Sequence, residues 1–258
     1  MSEATDAGGT AREVQAALAS VADPERAIGA ARFFKTAPGE YGEGDRFIGV
    51  TVPATRAVVK RFVALPVTEV AELLDSDMHE HRLAGLLILV KQFDRASAPR
   101  TRDDAARTRL ADFYLHAVRR GRVNNWDLVD ASAPTLLGSY LVDRSRDVLF
   151  ELAGSDMLWE RRVAVVATYG LIQRGDASTT LALAAGLLDD REDLMHKAVG
   201  WMLREVGKRV DRALLIRFLD ENAGRMPRTA LGYATEHLDA EVRAAYRRAD
   251  RPATAGPA

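Results

Sequence analysis

Apolar residues recur at intervals of three and four along most of the chain, the spacing of one face of an α-helix. The segment DMLWERRVAVVATYGLI (156–172) shows this pattern clearly. Alternation of β-branched and polar residues is scarce, and residues with high helix propensity, above all Ala, Leu, Arg and Glu, are frequent. Short polar or glycine-containing breaks separate the apolar segments. The pattern predicts an all-α protein with one long irregular segment, at 36–53.

Three of the predicted helical segments resemble one another. SDMHEHRLAGLLIL begins at Ser76, SDMLWERRVAVVAT at Ser155, and the looser EDLMHKAVGWML at Glu192. These starts are 79 and then 37 positions apart, close to two periods and one period of a HEAT-like helix pair. We therefore predict an α-solenoid of about six helix pairs with a concave groove.

The ends of the chain differ from its interior in composition. Residues 1–10 and 248–258 are small, polar and rich in Gly or Pro, which favours disordered tails. The remainder, 11–247, is predicted to form a single HEAT-like domain.

Composition excludes several classes of chemistry. The 258 residues include no cysteine, so disulfides, thiolate nucleophiles and iron–sulfur clusters are excluded. The five histidines form no His-Glu-x-x-His pattern, and we expect neither a metal nor another cofactor. A net charge of -1 argues against a uniformly basic surface but leaves one basic face open. Without a long apolar segment or a signal sequence, we expect a monomeric cytoplasmic protein with no membrane partner.

The three tryptophans are spaced about one repeat apart, at Trp126, Trp159 and Trp201. One aromatic ring in each repeat can simply fill a gap between helices, and for each tryptophan taken alone that alternative stays open. Each, however, is followed three or four positions later, on the same helix face, by a charged residue, namely Asp130, Arg162 and Arg204. Aromatic, carboxylate and guanidinium groups on one face suit a ligand made of sugars and phosphates.

Four segments resemble the AlkD-like family of DNA alkylation repair proteins: NNWDLVD (124–130), WERRVAVV (159–166), KAVGWMLREVGKR (197–209) and ARFFKTAPGEYGEGDRFIGVTVPATR (31–56). The resemblance covers about residues 25 to 235. It implies a HEAT-like solenoid that holds duplex DNA against a cationic concave face. It also implies a monofunctional glycosylase that removes cationic N3- and N7-alkylpurines without drawing the damaged base into a pocket.

The resemblance assigns roles to individual positions. The catalytic aspartate of the family falls on Asp130, its two DNA-facing tryptophans on Trp126 and Trp201, and a phosphate-contacting arginine on Arg162. A tyrosine of the family's N-terminal motif is replaced by Phe33, which keeps the ring without the hydroxyl and is expected to face DNA. This substitution puts a hydrogen-bonding role in doubt at that position and leaves the fold unaffected.

The residues themselves suit this chemistry. An alkylated purine already carries positive charge and leaves without a general acid, while positive charge develops on deoxyribose. A carboxylate such as Asp130 stabilises that state and orients a water molecule, and the faces of Trp126 and Trp201 attract the same charge. Phosphates would be held by a set of cations on the later repeats, namely Arg162, Arg161, Arg204, Lys208 and Arg209.

Other polar residues have simpler interpretations. We interpret Asp127 as a helix cap or a helix-start charge, because it follows two asparagines. The segment GEYGEGD lacks the Gly-Lys-Ser/Thr of a phosphate loop, so its acids, Glu40, Glu43 and Asp45, are expected to fix a loop. His79 and His81 are expected to be solvated on a charged helix.

Two classes of function stay open. The first is a glycosylase, either for small lesions or specialised for bulky adducts. The second is a non-catalytic HEAT-like module that binds DNA or a protein. The presence of Asp130 together with Trp126 and Trp201 favours the enzyme.

Overall fold

The computed structural model describes residues 9–248, and these contain α-helices and no strand. The all-α prediction is therefore confirmed for this part of the chain. The predicted tails fall mostly outside it, except that Thr10 caps the first helix and Arg248 ends the last. The chain divides between Leu136 and Leu137 into two compact units, each described by itself below.

The first unit contains seven helices among its described residues. They are α1 (Ala11–Ala19), α2 (Pro24–Phe33), α3 (Val52–Val59), α4 (Val67–Leu74), α5 (His79–Ser97), α6 (Asp104–Arg119) and α7 (Trp126–Ala133). Residues 34–51, between α2 and α3, form an irregular segment where 36–53 was predicted, because Val52 and Pro53 already belong to α3. Within it, Arg46 makes an isolated backbone bridge to Met78. This segment, called the long loop below, thereby meets the start of α5.

The second unit contains another seven α-helices among its described residues. They are α8 (Asp147–Ala153), α9 (Leu158–Ile172), α10 (Ser178–Gly186), α11 (Asp193–Arg209), α12 (Arg212–Asn222), α13 (Arg228–Ala234) and α14 (Ala240–Arg248). A π-helical turn at Pro134–Gly138 begins at the end of α7, and a 3-10 turn at Leu141–Asp143 precedes α8. Gly138 packs so close to Ala167 that a side chain there would meet its carbonyl oxygen.

Each unit is built around long helices that are buried on most sides. α5 packs against α1, α3, α4, α6 and α7, while α9 and α11 pack against each other and against the shorter helices around them. The apolar residues Leu86, Ile88 and Leu89 on α5 are completely buried. α5 and α9 carry long apolar runs because their middle parts lie in the cores of the two units, whereas α11 keeps one polar, partly exposed side.

The sequence repeat corresponds to a repeated turn before α5, α9 and α11. The residues preceding these helices, Met78, Met157 and Glu192, have almost the same backbone angles, with φ of -80°, -81° and -84°. In the first two turns a serine hydroxyl accepts the methionine N–H at 3.1 Å, and Asp190 accepts the Glu192 N–H at 2.9 Å in the third. The repeat found in the sequence is thus a repeated way of starting a long helix.

Candidate functional site

Helix α7 presents Trp126 and Asp130 on its less buried side. Asn125 caps the helix, and its side-chain oxygen accepts the Trp126 N–H at 2.8 Å. The opposite side of the helix is buried inside the first unit and carries Leu128, Val129, Ser132 and Ala133. Trp126 and Asp130 are one helical turn apart, so the ring and the carboxylate share a partly exposed surface.

Asp130 lies close to a buried tyrosine of α6. Tyr114 is completely buried and shares a hydrogen bond with the Ser132 hydroxyl at 3.0 Å. Burial raises the pKa of Tyr114, the Ser132 hydrogen bond opposes that rise, and the charge of Asp130 adds to it. The carboxylate of Asp130 thus acts electrostatically on the interior of the unit while remaining partly exposed.

Aromatic rings from the end of α2 and the long loop surround Trp126. Phe34 stacks on Trp126 with ring centroids 5.3 Å apart, and Phe33 meets Trp126 edge-on at 6.0 Å. Phe47 stacks on Phe34 at 5.1 Å. Phe33 is 66% exposed, so the predicted DNA-facing ring is accessible beside Trp126. Sequence reasoning missed Phe34 and Phe47, whose only signal was their place in the quoted N-terminal motif.

Behind these rings lies a buried charged cluster at the start of α5. Nδ1 of His79 is 3.0 Å from an oxygen of Asp45, and Nε2 is 2.8 Å from an oxygen of Asp127. Arg82 forms an ion pair with the other oxygen of Asp45, and the Asn125 amide donates to Asp45 at 3.0 Å. The cluster therefore joins the long loop to α5 and to the first turn of α7.

Burial and hydrogen bonding shift the pKa values of His79 and Asp45 in opposite directions. Burial by itself would lower the pKa of His79, but hydrogen bonds and charges from Asp127 and Asp45 outweigh it and raise that pKa to about 9. Burial would raise the pKa of Asp45, but the hydrogen bond from His79, the charge of Arg82 and the Asn125 amide bring it below its usual value. Both shifts favour the charged forms, an imidazolium at His79 and a carboxylate at Asp45.

The expectation that His79 and His81 are solvated is wrong. His79 is only 2% exposed, because the long loop and α7 cover it and supply its partners. His81 is half-buried, with Nδ1 2.9 Å from the Ser76 hydroxyl, and burial lowers its pKa. The contrast between His79 and Leu158, its counterpart in the repeat, was the available sequence signal.

The acids of the long loop fix its shape, as predicted. Glu40 accepts the Ala37 N–H at 3.0 Å, and Glu43 accepts the Gly39 N–H at 2.8 Å. Glu80 of α5 accepts the N–H groups of 48–50 at 2.8 to 3.2 Å. Asp127 is a helix-start charge, as one of the two interpretations held, whereas the cap is Asn125.

In the second unit, Tyr169 of α9 brings two predicted site residues of α11 together. Its ring lies 6.1 Å from that of Trp201, and the Arg209 guanidinium lies 5.2 Å from its centroid. Arg209 also donates to Glu205 at 2.6 Å. Burial would raise the pKa of Glu205, but the hydrogen bond and charge of Arg209 together with the charge of Arg204 lower it. Tyr169 and Glu205 were not anticipated from the sequence.

Arg161 and Arg162, at the start of α9, make interior contacts. Arg161 pairs with Asp190 at 2.8 Å and donates to the carbonyl oxygens of Ser155 and Asp156. Arg162 is 4% exposed and donates to the Leu194 carbonyl oxygen at 2.6 Å. Both side chains therefore connect α9 to the segment that begins α11, and their phosphate-binding role stays a prediction.

Cationic side chains line a cavity beside α11. Arg204 pairs with Glu236 and with Glu205, while Lys208 is exposed. The cavity measures about 210 Å³ and is lined by Arg204, Lys208, Arg212 and His237 together with apolar residues. Three of the predicted DNA-binding residues, Arg204, Lys208 and Arg209, follow Trp201 on the same helix.

Comparison with known proteins identifies the family and the fold. The model of a protein family described as DNA alkylation repair enzyme matches residues 14–238. The chain belongs to this DNA alkylation repair family. The solved structure of a predicted DNA alkylation repair enzyme from Enterococcus faecalis shares the fold, with a TM-score of 0.61 and 17% identity over 85% of this chain and 97% of that one. A search of curated proteins found no match.

Membership of the DNA alkylation repair family gives the chain a role in DNA repair. Within residues 9–248, no helix is long and apolar enough to cross a membrane. The same residues contain no group of three or more His, Asp or Glu side chains arranged to hold a metal ion.

Proposed function

We propose that the chain is a monofunctional DNA glycosylase that removes cationic N3- and N7-alkylated purines from duplex DNA without drawing the base into a pocket. One observation carries the proposal. α7 buries its apolar side and leaves Trp126 and Asp130, one turn apart, on its accessible side. Family membership supports the DNA substrate.

Asp130 is the proposed catalytic carboxylate. An N3- or N7-alkylated purine leaves as a neutral base, so no proton donor is needed at the leaving group. Positive charge builds on the deoxyribose as the glycosidic bond lengthens, and a nearby carboxylate stabilises that charge and orients water for attack on the sugar. The partial exposure of Asp130 leaves it accessible to a bound strand.

Aromatic faces add a second attraction for the same charge. Trp126 and Trp201 are both partly exposed and would attract the sugar's cationic character through their electron-rich faces. Phe33, exposed at the edge of Trp126, would extend the ring surface of the first unit along a strand. Because Phe33 lacks a hydroxyl, we assign it apolar contact only.

Cations of the second unit are proposed to hold the phosphates. Lys208 and Arg209 lie in the last turn of α11, and Arg204 lines the adjacent cavity. Arg161 and Arg162 are proposed as phosphate contacts too, and their bonds to Asp190 and Leu194 support the start of α11. Contacts of this kind bind DNA without reading its sequence.

The alternative function is a binding module without catalysis. Incubation of the full chain with duplex DNA containing 7-methylguanine or 3-methyladenine separates the two, because a glycosylase releases the free base and a binder only retards the duplex. Release of the free base is the expected result, and retardation without release would contradict the proposal. A panel running from methyl to bulky N3 adducts would then define the lesion.

A further inference from the structure

The long loop and α5 meet at the start of α7, and His79 connects both of them to that helix. The ring contacts Asp45 of the loop through Nδ1 at 3.0 Å and Asp127 of α7 through Nε2 at 2.8 Å. The His79 side chain is 2% exposed, and those of Asp45 and Asp127 are 3% and 13% exposed. Water therefore has little access to these bonds.

The geometry fixes the protonation state of His79. A carboxylate oxygen can only accept a hydrogen bond, and a neutral imidazole carries one N–H. A neutral ring would leave one nitrogen lone pair facing a carboxylate oxygen, so both contacts are satisfied only when both nitrogens are protonated. With His79 and Arg82 positive and Asp45 and Asp127 negative, the four buried groups sum to zero charge.

Two further contacts tie the same turn to the long loop. Asn125, which caps α7 and is completely buried, donates to Asp45 at 3.0 Å. Phe34, at the start of the loop, stacks on Trp126. Loss of the His79 proton would remove one of the hydrogen bonds and leave a net negative charge in the interior, and the turn would have to move to relieve it.

We propose that His79 is a positioning residue: as an imidazolium clamped between Asp45 and Asp127, it fixes the first turn of α7. That turn sets the directions of Trp126 and Asp130. The consequence for excision rests on the proposed function, whereas the link between His79 and α7 does not.

Several charged groups face His79 from the elements packed around it. They are Asp45 and Arg46 of the long loop, Asp127 of α7, Arg26 of α2, which lines the cavity next to the ring, and Glu80, His81 and Arg82 of α5. Of these, Asp45 and Asp127 contact the ring directly, so changing one of them gives the most specific perturbation.

The experiment is a pH titration of the full chain by NMR. The imidazole nitrogens of His79 and the backbone amides of α7 are followed between pH 6 and 10. Both ring nitrogens are expected to carry protons at pH 7.5, and the amides of Asp127 and Leu128 and the Trp126 indole are expected to shift as His79 loses a proton. In Asp45→Asn both changes should move together to lower pH, by about one pH unit. His81→Gln is the control, since His81 hydrogen-bonds Ser76, and it should leave the α7 signals in place.

A singly protonated His79 at pH 7.5, or α7 signals that do not follow its titration, would overturn the proposal. The rate of base excision as a function of pH is the second measurement. In the wild type the single-turnover rate should fall at the pH where His79 titrates, and Asp45→Asn should shift that midpoint. A residue that only stabilises the fold would lower the rate equally at every pH. If the wild type excises nothing, the proposed function fails, while the NMR titration still decides the role of His79.

Discussion

Helices α7 and α11 each present a tryptophan on a partly exposed side, yet they place opposite charges next to it. On α7, Trp126 is followed one turn later by Asp130, whereas on α11 Trp201 is followed by Arg204, Lys208 and Arg209. A carboxylate beside a ring suits developing positive charge on a sugar, and cations beside a ring suit phosphate. The comparison leads us to propose different tasks for the two units: the first carries the proposed catalytic carboxylate, and the second carries the proposed phosphate-binding cations.

The two helices also differ in how they are anchored. The first turn of α7 rests on His79 and its buried carboxylates. The buried side of α11 consists largely of apolar side chains such as Met195, Val199 and Met202. Buried charges demand their partners, while apolar packing tolerates exchange, so the helices should respond differently to substitution.

The largest effect on stability is expected for His79→Leu, which gives the first repeat the leucine that the second repeat has at position 158. The change removes a buried cation between two carboxylates, and a buried charge left without its partner costs about 3 to 5 kcal/mol of the free energy of unfolding. Met195→Leu on α11 keeps the side-chain volume and should cost under about 1.5 kcal/mol. Urea denaturation of both variants measures the difference. A His79→Leu protein as stable as the wild type would show that the charged cluster does not anchor α7.

The pH dependence of stability sharpens the same contrast. The pKa of His79 is raised from 6.5 to about 9 in the folded chain. Its protonation therefore stabilises the fold fully below pH 6.5, and this contribution, about 3 kcal/mol, is lost as the pH rises through 9. Urea midpoints measured from pH 6 to 9.5 should fall more steeply for the wild type than for His79→Leu. Parallel curves for the two proteins would contradict the raised pKa.

The smallest effect, on DNA binding, is expected when a single cation of α11 is replaced. Lys208→Ala should weaken duplex binding modestly and reduce the slope of log K against log salt by about one, since one phosphate contact is lost. With about five phosphates neutralised, the wild-type slope should lie near -4 to -5. Arg217→Ala, an exposed change on α12, is the matched control and should leave the slope unaltered. Binding of the wild type that does not depend on salt would contradict the assignment of these cations to phosphates.

Much of the fold followed from the sequence because helices are encoded locally. The spacing of apolar residues in 156–172 predicted a helix where α9 lies, and the repeated Ser-Asp-Met motif marked the turns before α5 and α9. Trp126 and Asp130 could be placed on one surface for the same reason, because residues four apart on a helix share a face.

The buried cluster could not be predicted in this way. His79 contacts residues 34 and 48 positions away in the chain, and no local pattern specifies such partners. The interior contact of Arg162 with Leu194 spans 32 positions and was equally hidden. A histidine at the start of a charged helix looks solvated until the long loop is seen to cover it.

The central claim is that Asp130 performs the chemistry, and single-turnover excision of 7-methylguanine by Asp130→Asn tests it most directly. The substitution keeps the shape and removes the charge, so the rate should fall about 10²-fold or more, roughly 3 kcal/mol, while binding to undamaged duplex holds or tightens slightly. Asp112→Asn, which alters an exposed carboxylate on α6 of the same unit, should excise at the wild-type rate. Circular dichroism should first show equal helicity in all three proteins. An Asp130→Asn rate equal to that of the wild type would remove Asp130 from the mechanism and contradict the account.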